Sequence, residues 1–193
     1  MKYVIHLLPC DGIGGVESAA RSLCSGVYAG FQFQKYFLAS RSEFPCLTVG
    51  DASGRFRSED DPRNLIQVLV WLHRHRPRLF IASLWRSYVA LLLHKLLHPR
   101  CLVVCFLHCN RAVHPIDWLM AFGAMTVAEE IWADSDATLR KRVPKVWQRK
   151  SRVISFVLKH VDPVTSEHPK PRFLFWGRLA PEKNLDHSLR IIA

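Results

Sequence analysis

A chain of 193 residues with 49% apolar and 22% charged residues has the composition of a packed globular protein. No run approaches the roughly 18 consecutive apolar residues of a membrane span: the closest region, 79–107, is interrupted by Arg86, His94, Lys95, His98 and Arg100. The net charge of +11, from 27 Lys and Arg against 16 Asp and Glu, favours anionic partners such as nucleotides, phospholipid surfaces or nucleic acid and says nothing about fold.

Strand and helix signals alternate along the chain. Tyr3 to Leu8 reads as a first strand, 9–15 as a glycine-containing loop, and Val16 to Tyr28 as a helix with Val16, Ala19, Ala20, Leu23 and Val27 on one face. Phe33 to Ala39 is a second strand. Residues 41–61 are polar, with a possible short strand over 46–49. Pro62 follows Asp61 at the first position of a helix running to His75, and Pro77 stops it. Buried strands are expected at Leu79–Ala82 and Cys101–Leu107, around a helix from Trp85 to Leu97 that is apolar nearly all round. A helix over 116–125, a short strand at Ile131–Ala133, a helix capped by Asp134 or Ser135, and a strand over 152–158 complete the series. Residues 159–171 hold Pro163, Pro169 and Pro171 and read as a linker.

Continuous apolar strands alternating with helices imply an α/β fold, a doubly wound parallel sheet covered on both faces. Residues 1–160 suffice for one such domain, 161–171 link it onward, and 172–193 look like the first strand–loop–helix of a second. Met1 to Pro9 has only a short apolar stretch, so no signal peptide and a cytoplasmic location are expected. The six cysteines form no C-x-x-C pair and are expected to be reduced and buried; Cys101, Cys105 and Cys109 with His108 match no standard zinc spacing.

The sharpest signal is the segment Arg172 to Ala193. An apolar run broken by Gly177 leads to a turn flanked by Arg178 and Lys183, and a helix pattern starts near Asn184. A helix start offers unpaired N–H groups and a partial positive charge, and two added cations make it a candidate diphosphate site. After the first strand, Gly12, Gly14 and Gly15 allow a tight turn and close approach to a phosphate or sugar, or simply shape the turn. The loop lacks the third glycine of a dinucleotide fingerprint, and the second strand ends at Ala39-Ser40 without an acidic residue, so an NAD enzyme is not expected. His108 follows a buried strand, where parallel sheets bind ligands; it is either a structural histidine or a group that bonds or exchanges protons with substrate. The other histidines read as solvated or structural. Residues 139–152 hold seven basic residues, no acid, and Trp147, which suits a solvated face or a contact with anionic phospholipid.

Together these residues resemble the N-terminal part of retaining, nucleotide-sugar-dependent glycosyltransferases of the GT-B fold, family 4 or group 1. Gly14-Gly15-Val16-Glu17 looks like that family's first glycine loop, and 77–83 like its strand leading to the cleft. His108 stands where the family has a histidine, 133–138 is similar to its serine motif, and 153–162 to the strand and turn closing the first domain. The segment 177–184, from Gly177 and Arg178 to Lys183 and Asn184, is similar to the motif opening the second domain and is the most specific match. The resemblance implies two Rossmann-like domains around a cleft, the first binding a glycan or lipid-linked acceptor and the second the nucleotide-sugar donor. It implies that Arg178 and Lys183, with the backbone of Gly14 and Gly15, hold the donor diphosphate, and that His108 is the catalytic-site residue touching the transferred sugar. The nucleotide sugar is a substrate, no cofactor is implied, and metal is not required. The family's glutamate-containing donor motif is not found in the 193 residues, so the chain by itself is expected to be inactive. Polysaccharide biosynthesis, peripherally at the inner face of the plasma membrane, is the expected setting. A non-catalytic module that docks to a membrane or partner, and a basic nucleic-acid binder, are the alternatives; nucleic acid is not the expected partner.

Overall fold

The computed structural model describes residues 2–12, 14–40, 50–155 and 184–192. Contacts divide the chain into two compact units, Met1–His160 and Val161–Ala193. In the first unit the order is β1 (Lys2–Cys10), α1 (Gly15–Ser22), β2 (Gly26–Tyr28), β3 (Phe31–Ala39), β4 (Ala52–Ser53), α2 (Pro62–His75), β5 (Leu79–Ser83), α3 (Trp85–Leu97), β6 (Leu102–Leu107), α4 (Pro115–Val127), β7 (Glu130–Ala133), α5 (Asp136–Arg142), a 3₁₀ turn (Lys145–Lys150) and β8 (Ser151–Val153). In the second unit, α6 (Leu185–Ile192) forms where a helix is expected.

The strands make one mixed, mainly parallel sheet of eight, ordered β2-β3-β1-β5-β6-β7-β8 with β4 beside β3. Every neighbouring pair is parallel except β2 with β3. The α/β expectation therefore holds, with one antiparallel edge. That edge corrects the expected helix 16–28. Helix α1 ends at Ser22, and Gly26–Tyr28 instead folds back on Phe31–Phe33. The two residues joining them, Ala29 (φ 48°) and Gly30 (φ 81°), both have the positive φ that a tight hairpin turn requires. Cys24, Ser25 and Gly26 are poor helix formers, and Val27 and Tyr28 favour extended backbone.

Helix starts follow local chemistry. Asp61 accepts from the Arg63 N–H at 2.9 Å and Pro62 opens α2. His114 Nδ1 accepts from Asp117 N–H, and Ser135, rather than Asp134, caps α5 by accepting from Thr138 N–H. One sheet face carries the main core, where Ile5, Leu7, Phe80, Ala82, Val103 and Cys105 meet residues of α2, α3, α4 and α5 such as Val68, Leu91, Ala124 and Leu139. On the other face Leu8 and Phe37 meet α1 through Val16 and Ala20, while Ile81, Val104 and Phe106 cluster with Trp132 and Ile154. Strand β8 is shorter than expected, ending at Val153. Ile154 and Ser155 are not strand, and the strand expected at 46–49, the linker 161–171, the strand 173–176 and residues 156–158 lie outside the described residues.

One consequence of the strand order positions the site. From β1 the chain steps to β3 on one side, then to β5 on the other. The carboxyl ends of β1 and β5 therefore flank a topological switch point, the place where open α/β sheets bind ligands. Strand β6, leading into His108, lies next to β5.

Candidate functional site

Three side chains from these adjacent strands join at the sheet's carboxyl end. Ser83, the last residue of β5, has its Oγ 2.7 Å from His6 Nε2 and 2.9 Å from His108 Nε2. Alternation along the strands puts His6 on the face with Leu8, and Phe106 packs between the two rings, stacked on His6 and 4.2 Å from the His108 centroid. Both imidazoles are held neutral. Burial, then the neighbouring His108 and Lys35, lowers the His6 pKa to about 3. Burial alone lowers that of His108 to about 3. A hydroxyl has one proton and two lone pairs, so at most one imidazole accepts from Ser83 and at least one donates its Nε2–H to it. Ser83 thus couples the two tautomers, and the second nitrogen of His108 takes the complementary role. A neutral imidazole set in this way is suited to hydrogen-bonding a sugar hydroxyl and is not a proton donor of the imidazolium kind near neutrality.

The crevice wall beyond this cluster is strained and acidic. Leu84 joins Ser83 to α3 with φ 68° and ψ 157°, a region that essentially only glycine occupies, at a cost of about 1–3 kcal/mol. It delivers Trp85 and Arg86 to the rim. The Arg86 guanidinium bonds Asp60 at 2.6 and 2.9 Å and Glu59 at 3.2 Å, and lies over the Trp85 ring. These residues border a cavity of about 220 Å³ floored by Leu38, Leu65 and Val89. A smaller cavity of about 60 Å³ on the other side of Trp85 is lined by His108, Tyr88, Asp117 and Arg142. Arg142 reaches both Asp117 oxygens at 3.4 Å, and Asp117 also accepts from Val113 N–H at 2.9 Å, which fixes the loop after His108.

Gly14 caps α1 and Gly15 begins it, at the end of the β1 loop, which Arg21 ties down through the Gly12 carbonyl at 2.9 Å. The carboxylate of Glu17 folds back over Gly14, where an added Cβ would collide with it; nothing lies within 4 Å of a Cβ on Gly15. The Cys10 thiol lies 4.0 Å from Glu17. Burial, with smaller contributions from Glu59 and Glu17, pushes its pKa up to about 11. The carboxyl end of the sheet therefore presents carboxylates, which accept hydrogen bonds from hydroxyls, beside an aromatic ring.

Of the expected site residues, Gly14, Gly15 and His108 all lie at the carboxyl end of the sheet, while Arg178 and Lys183 lie outside the described residues. His6, Ser83, Trp85 and Arg86 are additions. Alternation on β1 and the position of Ser83 at a strand end carried that information for the first two; nothing in the sequence marks Leu84 for a glycine-like backbone. Two other expectations need correction. Cys24 and Cys109 are exposed rather than buried, while Cys10, Cys101 and Cys105 are buried as expected and Cys46 lies outside the described residues. In the basic stretch 139–152, three of the seven cations have structural work: Arg142 holds Asp117, Arg152 holds Glu130, and Lys150 donates to the Met125 and Ala128 carbonyls at the end of α4. Trp147 packs on Phe122 and the core. Among the described residues no cluster of His, Cys, Asp or Glu could hold a metal ion, and no helix is long and apolar enough to cross a membrane.

No family model matches the chain, and no curated protein sequence matches it. Solved structures do. The outer-core lipopolysaccharide galactosyltransferase WaaB aligns over 98% of this chain and 57% of its own, with a TM-score of 0.61 and 13% identity. HepE of Anabaena aligns with a TM-score of 0.57 and 12% identity in its complex with UDP-glucose, and 0.56 and 14% in its complex with UDP and glucose. Those alignments cover 82% of this chain and 44% and 45% of HepE. The chain shares the Rossmann-like α/β fold of these structures. It spans about half the length of each of these neighbours.

Proposed function

We propose that the chain forms the acceptor side of a retaining, nucleotide-sugar-dependent glycosyltransferase of the GT-B type, with 161–171 as linker and 172–193 opening the donor-binding domain. The observation that carries this reading is the His6–Ser83–His108 chain at the switch point, in a fold shared with a galactosyltransferase and with a protein that binds UDP-glucose. The rim of Trp85, Glu59 and Asp60 offers an aromatic face and hydroxyl acceptors, a surface chemistry suited to a glycan or lipid-linked sugar acceptor. His108 would bond the transferred sugar. Breaking the sugar–phosphate bond leaves negative charge on the departing diphosphate, and Arg178 and Lys183 would stabilise it; Gly14 and Gly15 would offer backbone N–H groups to the donor phosphates. Because those cations take the part of a metal ion, transfer needs none, and chelation by EDTA should leave the rate unchanged.

The test offers radiolabelled UDP-glucose and other nucleotide sugars to extracts of cells expressing this chain joined to a complete donor-binding domain, or the Arg178→Ala or Lys183→Ala variants of that protein. Incorporation into a glycan or lipid should depend on the protein and fall at least about 100-fold in each variant. Incorporation indifferent to both substitutions would remove the assignment.

The same proposal places the enzyme at an anionic membrane surface on the cytoplasmic side, during polysaccharide synthesis. The supporting surface is α4, where Ile116, Trp118, Leu119 and Phe122 are exposed, together with Val113 and Val146. Trp118 stacks on Phe122, which meets Trp147 in the turn carrying Lys145 and Arg149. Apolar side chains beside cations match the interface of an anionic bilayer. Vesicles containing phosphatidylglycerol should float the protein and neutral phosphatidylcholine vesicles should not, and Trp118→Glu should abolish flotation. Equal recovery from both vesicle types contradicts the charge contribution.

A further inference from the structure

At the opposite end of the strands from His108, a third cavity, of about 770 Å³, opens between the starts of β1 and β5 and the end of α3. Its wall carries Lys2, Arg76, Arg78 and Arg100 with His94 and His98, and no carboxylate. Among the described residues none of these four cations forms an ion pair. Glu129, the acid whose charge is felt at Cys101 on the cavity edge, is tied to Lys95 at 2.5 Å.

Cations near helix ends have an ordinary explanation, since helix C-termini carry partial negative charge. Helices α2 and α3 both end here, and each contributes about −0.5 of a charge. Two such ends account for one cation and leave about three in excess. Two further features point to a ligand. His94 is 2% exposed, and its Nε2 has no hydrogen-bond partner among the described residues, a cost that an oxygen acceptor in the cavity would remove. Arg76 ends α2 at φ 43°, ψ 63°, the left-handed conformation in which glycine is usual. An arginine is kept at a backbone position where glycine would be easier, and its side chain lines the cavity.

We propose that this cavity binds a phosphate-bearing anion, either a soluble phosphate compound or the phosphate of a lipid headgroup. Arg76, Arg78, Arg100 and Lys2 supply charge, and the His94–His98 wall, whose rings lie 4.7 Å apart, supplies a neutral donor.

The test uses the 193-residue chain. Inorganic pyrophosphate is titrated in while imidazole signals are followed by NMR, which separates this cavity from any other phosphate site on the molecule. The His94 and His98 signals should move saturably. Arg76→Gly should weaken that response about threefold and Arg78→Ala/Arg100→Ala about tenfold, with less effect at high salt. Arg76→Gly suits the left-handed backbone, so its melting temperature should not fall, which separates lost binding from lost folding. A second arm compares neutral and phosphatidylglycerol vesicles. A drop in vesicle binding for Arg76→Gly assigns the site to a headgroup, and vesicle binding unchanged beside a weakened pyrophosphate response assigns it to a soluble phosphate. His94 and His98 signals that stay still at saturating pyrophosphate, together with vesicle binding indifferent to Arg76→Gly, overturn the proposal.

Discussion

Acidification from neutrality to about pH 5 should destabilise the first unit through its buried histidines. His6 and His108 are both held near 3, against 6.5 for a free imidazole. In the unfolded chain they take up protons as the pH drops through 6.5, whereas in the fold they stay neutral until about 3. Their contribution is therefore complete above 6.5 and is lost progressively towards 3. One and a half pH units below the unfolded value, at about 1.4 kcal/mol per unit, costs about 2 kcal/mol for each. His94, lowered to about 4 chiefly by burial, adds a similar amount. The total of about 6 kcal/mol rivals the whole stability of an ordinary domain, about 5–15 kcal/mol. Urea unfolding at a series of pH values measures this directly. His108→Gln keeps a donor for Ser83 but cannot titrate, so its plot of stability against pH should be shallower by about 1.4 kcal/mol per unit between about pH 4 and 6. His6→Gln should behave alike. Superimposable slopes for wild type and both variants would refute the claim that these rings are buried neutral.

Other outcomes follow from single contacts. Lys35 and Asp51 form a fully buried ion pair at 3.5 Å, so Lys35→Met, which removes the counter-charge of a buried carboxylate, should cost about 3–5 kcal/mol in urea; an unmoved midpoint contradicts the pairing. A Cβ at Gly54 would collide with the Leu38 carbonyl and Asn64, so Gly54→Ala should lose about 1–3 kcal/mol, and a neutral result would mean that the β3–α2 contact yields easily. Cys24 and Cys109 should be labelled rapidly by a thiol reagent in the folded chain, while Cys10, Cys101 and Cys105 wait for unfolding; mass spectrometry of labelled peptides would expose an inverted order.

Periodicity made the central layers readable. Runs such as Leu79–Ala82 and Cys101–Leu107 are apolar on both faces because both faces are buried, and Trp85–Leu97 lies between turn residues that delimit it. The edge was harder. Val16 to Tyr28 has helical spacing, yet the pairing of Gly26–Tyr28 with β3 is a contact between segments that helical spacing does not report. The site divided the same way. His108 was legible because a strand end in a parallel sheet is informative by itself. Its link to His6, 102 positions earlier, exists only once β1, β5 and β6 lie side by side. Leu84 was illegible because its backbone belongs to glycine while its side chain does not. Within 139–152, charge composition could not separate Arg142, Lys150 and Arg152, which brace the fold, from Arg140, Lys141, Lys145 and Arg149.

The central claim is that the crevice at the carboxyl ends of β1, β5 and β6 carries sugar transfer. The most direct measurement is the rate of transfer from nucleotide sugar in extracts of cells expressing this chain joined to a complete donor-binding domain, with His108 or with His108→Ala, at matched abundance. The rate should fall about 100-fold or more, since the lost hydrogen bond lies at the transferred sugar. A rate equal to wild type would contradict the placement of the reaction in this crevice.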